Sequence, residues 1–217
     1  MRTWPLLLAL LVAGCTPNTE APEDQPRVSA SSPVPSSPSH PGTPTTPAST
    51  VPANPEGPAD ARWVFFTKDQ QRYESPWFAG AHRIMIPFGC TPAQYYDPDP
   101  SCPDGQGFHH GIDVAIPCGT ELYAGRAAQV LANDALGPAY GENPVLLRVR
   151  DRDIVIGHTR RVFVRVGDTV EVGERFALIG DSAAPDGCHL HFEVRPRGAG
   201  YLAALDPLPF LDLAPSS

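Results

Sequence analysis

Phe108-His109-His110-Gly111-Ile112-Asp113-Val114-Ala115-Ile116-Pro117 and, much later in the chain, Cys188-His189-Leu190-His191-Phe192-Glu193-Val194 decide how this sequence folds. Both runs are rich in β-forming residues, and on a strand alternate side chains share a face. His109 and Asp113, four apart, are expected on one face, as are His189 and His191, two apart. Two imidazoles and a carboxylate converging from neighbouring strands suit zinc, which takes N and O ligands at about 2.0–2.2 Å. A further histidine beside such a cluster suits a catalytic metal better than a closed structural one.

Outward from these runs the pattern is mostly short strands. Apolar or alternating stretches occur at 83–86, 111–116, 121–124, 128–131, 145–149, 154–156, 161–166, 170–172 and 176–179. Pro87, Pro117-Cys118-Gly119, Gly137-Pro138, Gly167-Asp168 and Gly173-Glu174 punctuate them. No helical periodicity holds over ten residues, and only Leu202–Leu205 suggests a turn of helix. The spacing predicts an all-β, antiparallel sandwich or barrel-like domain. The segment Val164–Asp181 (VRVGDTVEVGERFALIGD) resembles the hairpin of biotinyl and lipoyl carrier domains. No lysine follows Lys68, so a carrier role lacks its attachment residue and the segment reads as scaffold.

The amino-terminal residues belong to a different world. Residues 1–15 combine Arg2, an apolar run from Leu6 to Val12 and the sequence Leu11-Val12-Ala13-Gly14-Cys15, a signal peptide resembling a bacterial lipobox. The expectation is an exported lipoprotein held to a membrane by acyl chains on Cys15, the apolar run being too short to cross a bilayer. In a cell with two membranes, Thr16 in place of an aspartate favours the outer membrane, facing the periplasm. Residues 16–60 hold 12 prolines in 45 positions, with Ser, Thr and Ala supplying much of the rest. Such a stretch buries too little apolar surface to order itself and reads as a disordered linker with polyproline-II character. At about 3.1 Å per residue its upper reach is on the order of 140 Å.

One folded domain is expected over 61–217. A net charge of −8 leaves no footprint for nucleic acid. With Cys15 assigned to lipid, Cys90, Cys102, Cys118 and Cys188 form an even set in an exported domain, for which three disulfide pairings exist. Cys90 with Cys102 would close a short Pro/Asp-rich loop, leaving Cys118 to staple Cys188 beside the second histidine run; this pairing is preferred.

The motifs together resemble the lysostaphin/LytM-type zinc endopeptidases that cut peptidoglycan cross-bridges, over roughly residues 84–195. The resemblance rests on H-x-x-x-D at His109–Asp113, H-x-H at His189–His191, and Ile156-Gly157-His158 placed before the lipoyl-like segment. It implies the duplicated-hybrid-motif fold, Zn²⁺ held by His109, Asp113 and His191, and catalytic roles for His158 and His189. It also implies a peptidoglycan hydrolase working on the cell wall. The alternative is a catalytically inactive wall-binding module that regulates a cell-wall amidase, and a regulatory protein partner is compatible with either. HExxH is absent, so a helical metalloprotease site is not on offer. His40, in the linker, and His82 read as surface or satisfied core residues. His110 is expected to face away from His109, and Glu193 to support the histidines rather than act as base. The Gly/Pro-rich loop Asn133–Asn143 is expected to wall a substrate groove.

Overall fold

The computed structural model describes residues 57–217; the signal-peptide reading, Cys15 and nearly all of the 16–60 linker lie outside the described residues. Fourteen strands follow one another: β1 Arg72–Ser75, β2 Phe78–Ile86, β3 Gly89–Thr91, β4 Gly107–His109, β5 Ile112–Ala115, β6 Glu121–Tyr123 and β7 Ala128–Leu131. After them come β8 Val145–Val149, β9 Arg152–Gly157, β10 Arg161–Val162, β11 Thr169–Val170, β12 Arg175–Leu178, β13 Leu190–Pro196 and β14 Ala214–Pro215. One four-residue helix, α1 (Leu208–Leu211), and three 3₁₀ turns complete the described elements. The expected helical turn near Leu202 is one of these, at Tyr201–Ala203. No described helix is long and apolar enough to cross a membrane.

Every strand pair is antiparallel, and the main sheet runs β10-β12-β6-β2-β5-β13-β9-β8-β7-β11. β11 and β12 are separated by only four residues, yet β11 pairs with β7 at one end and β12 lies near the other. So short a link forces the sheet to curl until its ends approach, which is the barrel-like part of the expectation. The lipoyl-like segment therefore does not fold as a hairpin. Its two strands pair outward, and Gly173 N–H bonds Ala124 C=O across the closure at 2.8 Å.

Strand alternation sorts the two faces. Ile112 and Val114 of β5, Ile154 and Ile156 of β9, and Leu190, Phe192 and Val194 of β13 enter the main core with Trp77 and Phe176. Each such side chain contributes about 1.5–3 kcal/mol by leaving water. The opposite face of the same strands carries Asp113, His191, Glu193 and Arg195, all buried. A smaller core covers part of that face. There Met85, Ile86, Ala93 and Ala115 pack against Trp63, Phe65, Phe66, Tyr95 and Tyr96 from segments outside the main sheet. Disulfides join Cys90 to Cys102 and Cys118 to Cys188, the preferred pairing, with Cα atoms 5.4 and 5.2 Å apart.

Candidate metal centre

The site is assembled across three adjacent strands in one register row. His191 of β13 stands opposite Asp113 of β5 on one side and Gly157 of β9 on the other. His109 arrives differently from the single-strand expectation. It ends β4, which belongs to the separate β3–β4 pair, and the chain bends through His110 and Gly111 before β5 begins. The reason lies at Gly111: a Cβ there would come within 2.6 Å of His191 Cε1. Only glycine lets the backbone pass beneath that imidazole.

Three donor atoms meet in consequence. His109 Nε2 lies 3.3 Å from His191 Nδ1 and 3.3 Å from Asp113 Oδ1, and His191 Nδ1 lies 2.9 Å from Asp113 Oδ1. Ligands of a tetrahedral zinc at about 2.0–2.1 Å stand about 3.3 Å apart, so the three atoms fit such an ion. Their outer atoms are fixed as metal ligands require. His109 Nδ1–H donates to Pro87 C=O at 3.1 Å, which leaves Nε2 as the lone-pair nitrogen. His191 Nε2 faces Glu193 Oε2 at 3.5 Å, the long end of hydrogen bonding. The Tyr96 hydroxyl donates to Asp113 Oδ2 at 3.3 Å, on the side away from the histidines.

Electrostatics shift the groups of this cluster in opposite directions. Burial would raise the Asp113 carboxyl, but the surrounding imidazoles hold it well below its usual range. For His191, burial disfavours charge, yet the Asp113 and Glu193 carboxylates outweigh it and lift the imidazole to about 9. Without a cation that ring therefore holds a proton in the place a metal would take. Glu193 is itself held at about 2: burial opposes ionisation, while His191 and Arg195 more than compensate. Arg195 Nε donates to Glu193 Oε1 at 2.5 Å, and the Tyr140 hydroxyl donates to Glu193 Oε2 at 2.7 Å.

Two more imidazoles stand beside the three donors. His158 and His189 have ring centroids 4.5 Å apart, and His158 lies 5.9 Å from the His191 ring. His158 follows β9 with a left-handed φ of 60°, a turn that redirects its side chain out of the ladder. Its Nδ1–H donates to Ser182 C=O at 2.7 Å, while His189 Nδ1–H donates to Gly187 C=O at 2.9 Å. Each ring thus spends Nδ1 on a backbone carbonyl and leaves Nε2 for the cleft, and His189 Nε2 comes within 3.6 Å of Asp113 Oδ1. Burial above all, then the neighbouring imidazoles, depresses His158 to about 3, so it is uncharged at neutral pH.

These groups line a cleft of about 370 Å³ walled by Tyr95, Tyr96, Tyr140 and Tyr201. The Asn133–Asn143 loop does supply a wall, through Ala139 and Tyr140. His110 departs from the expectation that it faces away: it sits on the cleft rim, its ring 5.0 Å from that of Tyr201, outside the donor cluster. His82 is buried and bonded to Ala79 C=O, as a core histidine should be. Two contributors escaped the motif reading. Tyr96 comes from the Cys90–Cys102 loop, where the pair of tyrosines between two cysteines was the available signal. Asp186, buried, has its Oδ1 3.6 Å from His189 Nδ1; a carboxylate three residues before a histidine is a weak signal. Burial first, then Asp113, raises the Asp186 carboxyl.

Comparison with known proteins agrees with this geometry. The model of peptidase family M23 matches residues 107–203. The solved structure of LytU is 30% identical and superposes with a TM-score of 0.50, covering 62% of this chain and 87% of that one. The lipoprotein NlpD/LppB homolog of Pseudomonas aeruginosa is 34% identical over 101 residues, 46% of this chain and 32% of the relative. Peptidoglycan DD-endopeptidase ShyA of Vibrio cholerae serotype O1 is 29% identical over 108 residues, 49% of this chain and 25% of the relative. The chain thus spans less than half the length of these curated relatives. With the matched region holding all five site residues and a LytU-like fold around them, the chain belongs to peptidase family M23.

Proposed function

We propose that this chain is a zinc-dependent endopeptidase that hydrolyses peptide cross-links of bacterial peptidoglycan, tethered to a membrane through lipid on Cys15. One observation carries the reading: three donors spaced for a tetrahedral ion, with two carbonyl-anchored imidazoles beside them. His109, Asp113 and His191 would hold the metal. Zinc there would supply Lewis-acid polarisation of the scissile carbonyl and acidify a water. A relative named as a peptidoglycan endopeptidase supports the substrate class, and a relative named as a lipoprotein supports the anchor.

The protein's own groups handle the protons. One of His158 and His189 accepts a proton from the attacking water at Nε2 as the new carbon–oxygen bond forms. The imidazolium so produced donates to the departing amine when the peptide C–N bond breaks, restoring the neutral ring. Its partner ring, protonated from solvent at Nε2, would donate a hydrogen bond to the carbonyl oxygen as charge develops there. The tyrosine walls hold the peptide in the cleft and exclude water around it.

The test combines metal content with wall hydrolysis. Purified protein should contain about one zinc per chain and release soluble peptides from isolated cell walls, and a chelator should abolish that release. Retention of zinc with no peptide released from walls of several cross-link types would replace this reading by the amidase-regulator alternative. For the anchor, Cys15→Ser should move the protein from the membrane fraction to the soluble envelope fraction; unchanged membrane retention would remove the lipid from the proposal.

A further inference from the structure

Cys188 precedes β13, and the ladders to β5 and β9 begin only at Leu190 and His191. The peptide groups of Cys188 therefore lie beyond both ladders, although Cys188 is fully buried. Buried backbone groups must find partners elsewhere. They find them in residues 60–63, which lie outside the 107–203 family match. The Asp60 carboxylate accepts the Cys188 N–H at 3.0 Å, and the Trp63 indole N–H donates to Cys188 C=O at 2.5 Å. Arg62 bridges Asp60 and Asp181 at 2.8 and 2.7 Å, pinning the start of the loop that ends at Cys188. Gly187, with φ +96°, lies so close over Asp60 that a Cβ there would meet the carboxylate at 2.7 Å. Trp63 is fixed in turn by the smaller core, and Phe66 N–H bonds Met85 C=O of β2 at 2.8 Å.

The strap thus holds the peptide on the amino-terminal side of His189 and abuts Gly187, whose carbonyl fixes the His189 ring. The metal donors do not depend on it, because β4, β5 and β13 place His109, Asp113 and His191. We infer that Asp60 and Trp63 are positioning residues for His189, so that the segment joining the linker to the domain completes the catalytic apparatus. The inference rests on His189 acting in catalysis as proposed above. Misplacing a catalytic group by about 1 Å costs up to roughly a hundredfold in rate.

The experiment uses full-length, zinc-loaded protein carrying Trp63→Phe, Asp60→Ala or Asp60→Asn, assayed on a soluble cross-linked wall peptide at a temperature where each variant is fully folded. Trp63→Phe and Asp60→Ala should lower kcat by about 10- to 100-fold with KM and zinc content unchanged. Asp60→Asn, which keeps an oxygen acceptor for Cys188 N–H, should recover most of the loss. In ¹⁵N-histidine spectra the His189 ring signals should shift and broaden in the two impaired variants while those of His109 stay in place. Wild-type kcat in both variants, or a loss that vanishes on cooling further below the melting point, overturns the inference. If the wild-type protein itself cleaves no wall peptide, the proposed function fails, and the His189 ring signals alone decide: unmoved signals in Trp63→Phe and Asp60→Ala overturn the positioning role.

Discussion

Asp113 and His189 face each other at 3.6 Å, yet their anchoring differs in kind. Asp113 sits inside the ladder, its Oδ1 turned to the His109 and His191 imidazoles and its Oδ2 held by Tyr96. His189 is tied by Nδ1 to a backbone carbonyl and spends Nε2 on the cleft. Removing the carboxylate should therefore strip the metal site, whereas removing the imidazole should leave it whole. Asp113→Ala is expected to lose most bound zinc on dialysis, and His189→Ala to keep it while kcat falls by about 10²–10⁴-fold. Zinc analysis beside peptide release separates the two, and equal zinc loss in both variants would sink the division of roles. Gly111 matters at the same scale: the H-x-x-x-D spacing works here because its glycine lets the chain slip under His191.

Elements show how much of this was written in local pattern. The alternating runs at 128–131 and 145–149 coincide with β7 and β8, since each places its apolar residues on one buried face. Arg161–Val166 alternates equally well but is strand only at Arg161–Val162, and Val166 projects into solvent beside the Gly167 turn. Of the four motif histidines and the aspartate, His109, Asp113, His189 and His191 were legible from spacing in β-rich runs, and His158 only through the family resemblance. His109 and Asp113 nonetheless come from two strands rather than one, a bend visible only once His191 is overhead. Tyr96, Asp186 and the Asp60–Trp63 strap were not legible: they reach the site from loops whose placement depends on contacts distant in sequence. The disulfides bring such segments together. Cys118–Cys188 spans 70 residues and Cys90–Cys102 spans 12. Loop-closure entropy then predicts losses of about 4 and about 3 kcal/mol for the respective double Cys→Ser variants. Urea unfolding should rank them in that order; a larger loss for the short loop would show that strain or local packing, not chain entropy, governs these bonds.

For the molecule as a whole, the balance of charge is acidic, at −8, and the fold treats most of its interacting carboxylates alike. Asp60, Asp113, Asp153 and Glu193 are all held below their usual range, and Asp186 stands against them. Asp153 is the member farthest from metal chemistry. Burial opposes its ionisation, but Arg148 across the β8–β9 turn and the Gly198 N–H outweigh burial, with contacts of 2.7 Å each. A carboxylate whose folded pKa is depressed stabilises the native state fully above its unfolded value near 4. That contribution fades as pH falls towards the folded value, because the unfolded chain binds the proton first. Acid should therefore unfold this protein from the carboxylate side even when no metal is present to be displaced. In chelator-treated protein, the melting temperature should fall steadily across an acid window from about pH 5 to about pH 2.5, as the unfolded carboxylates take up protons first. Asp153→Asn should melt below wild type at pH 7, with the gap narrowing as the pH drops through that window. A gap of constant size from pH 7 to about pH 2.5 would mean that Asp153 acts through its shape and hydrogen bonds, and that its charge contributes nothing to stability.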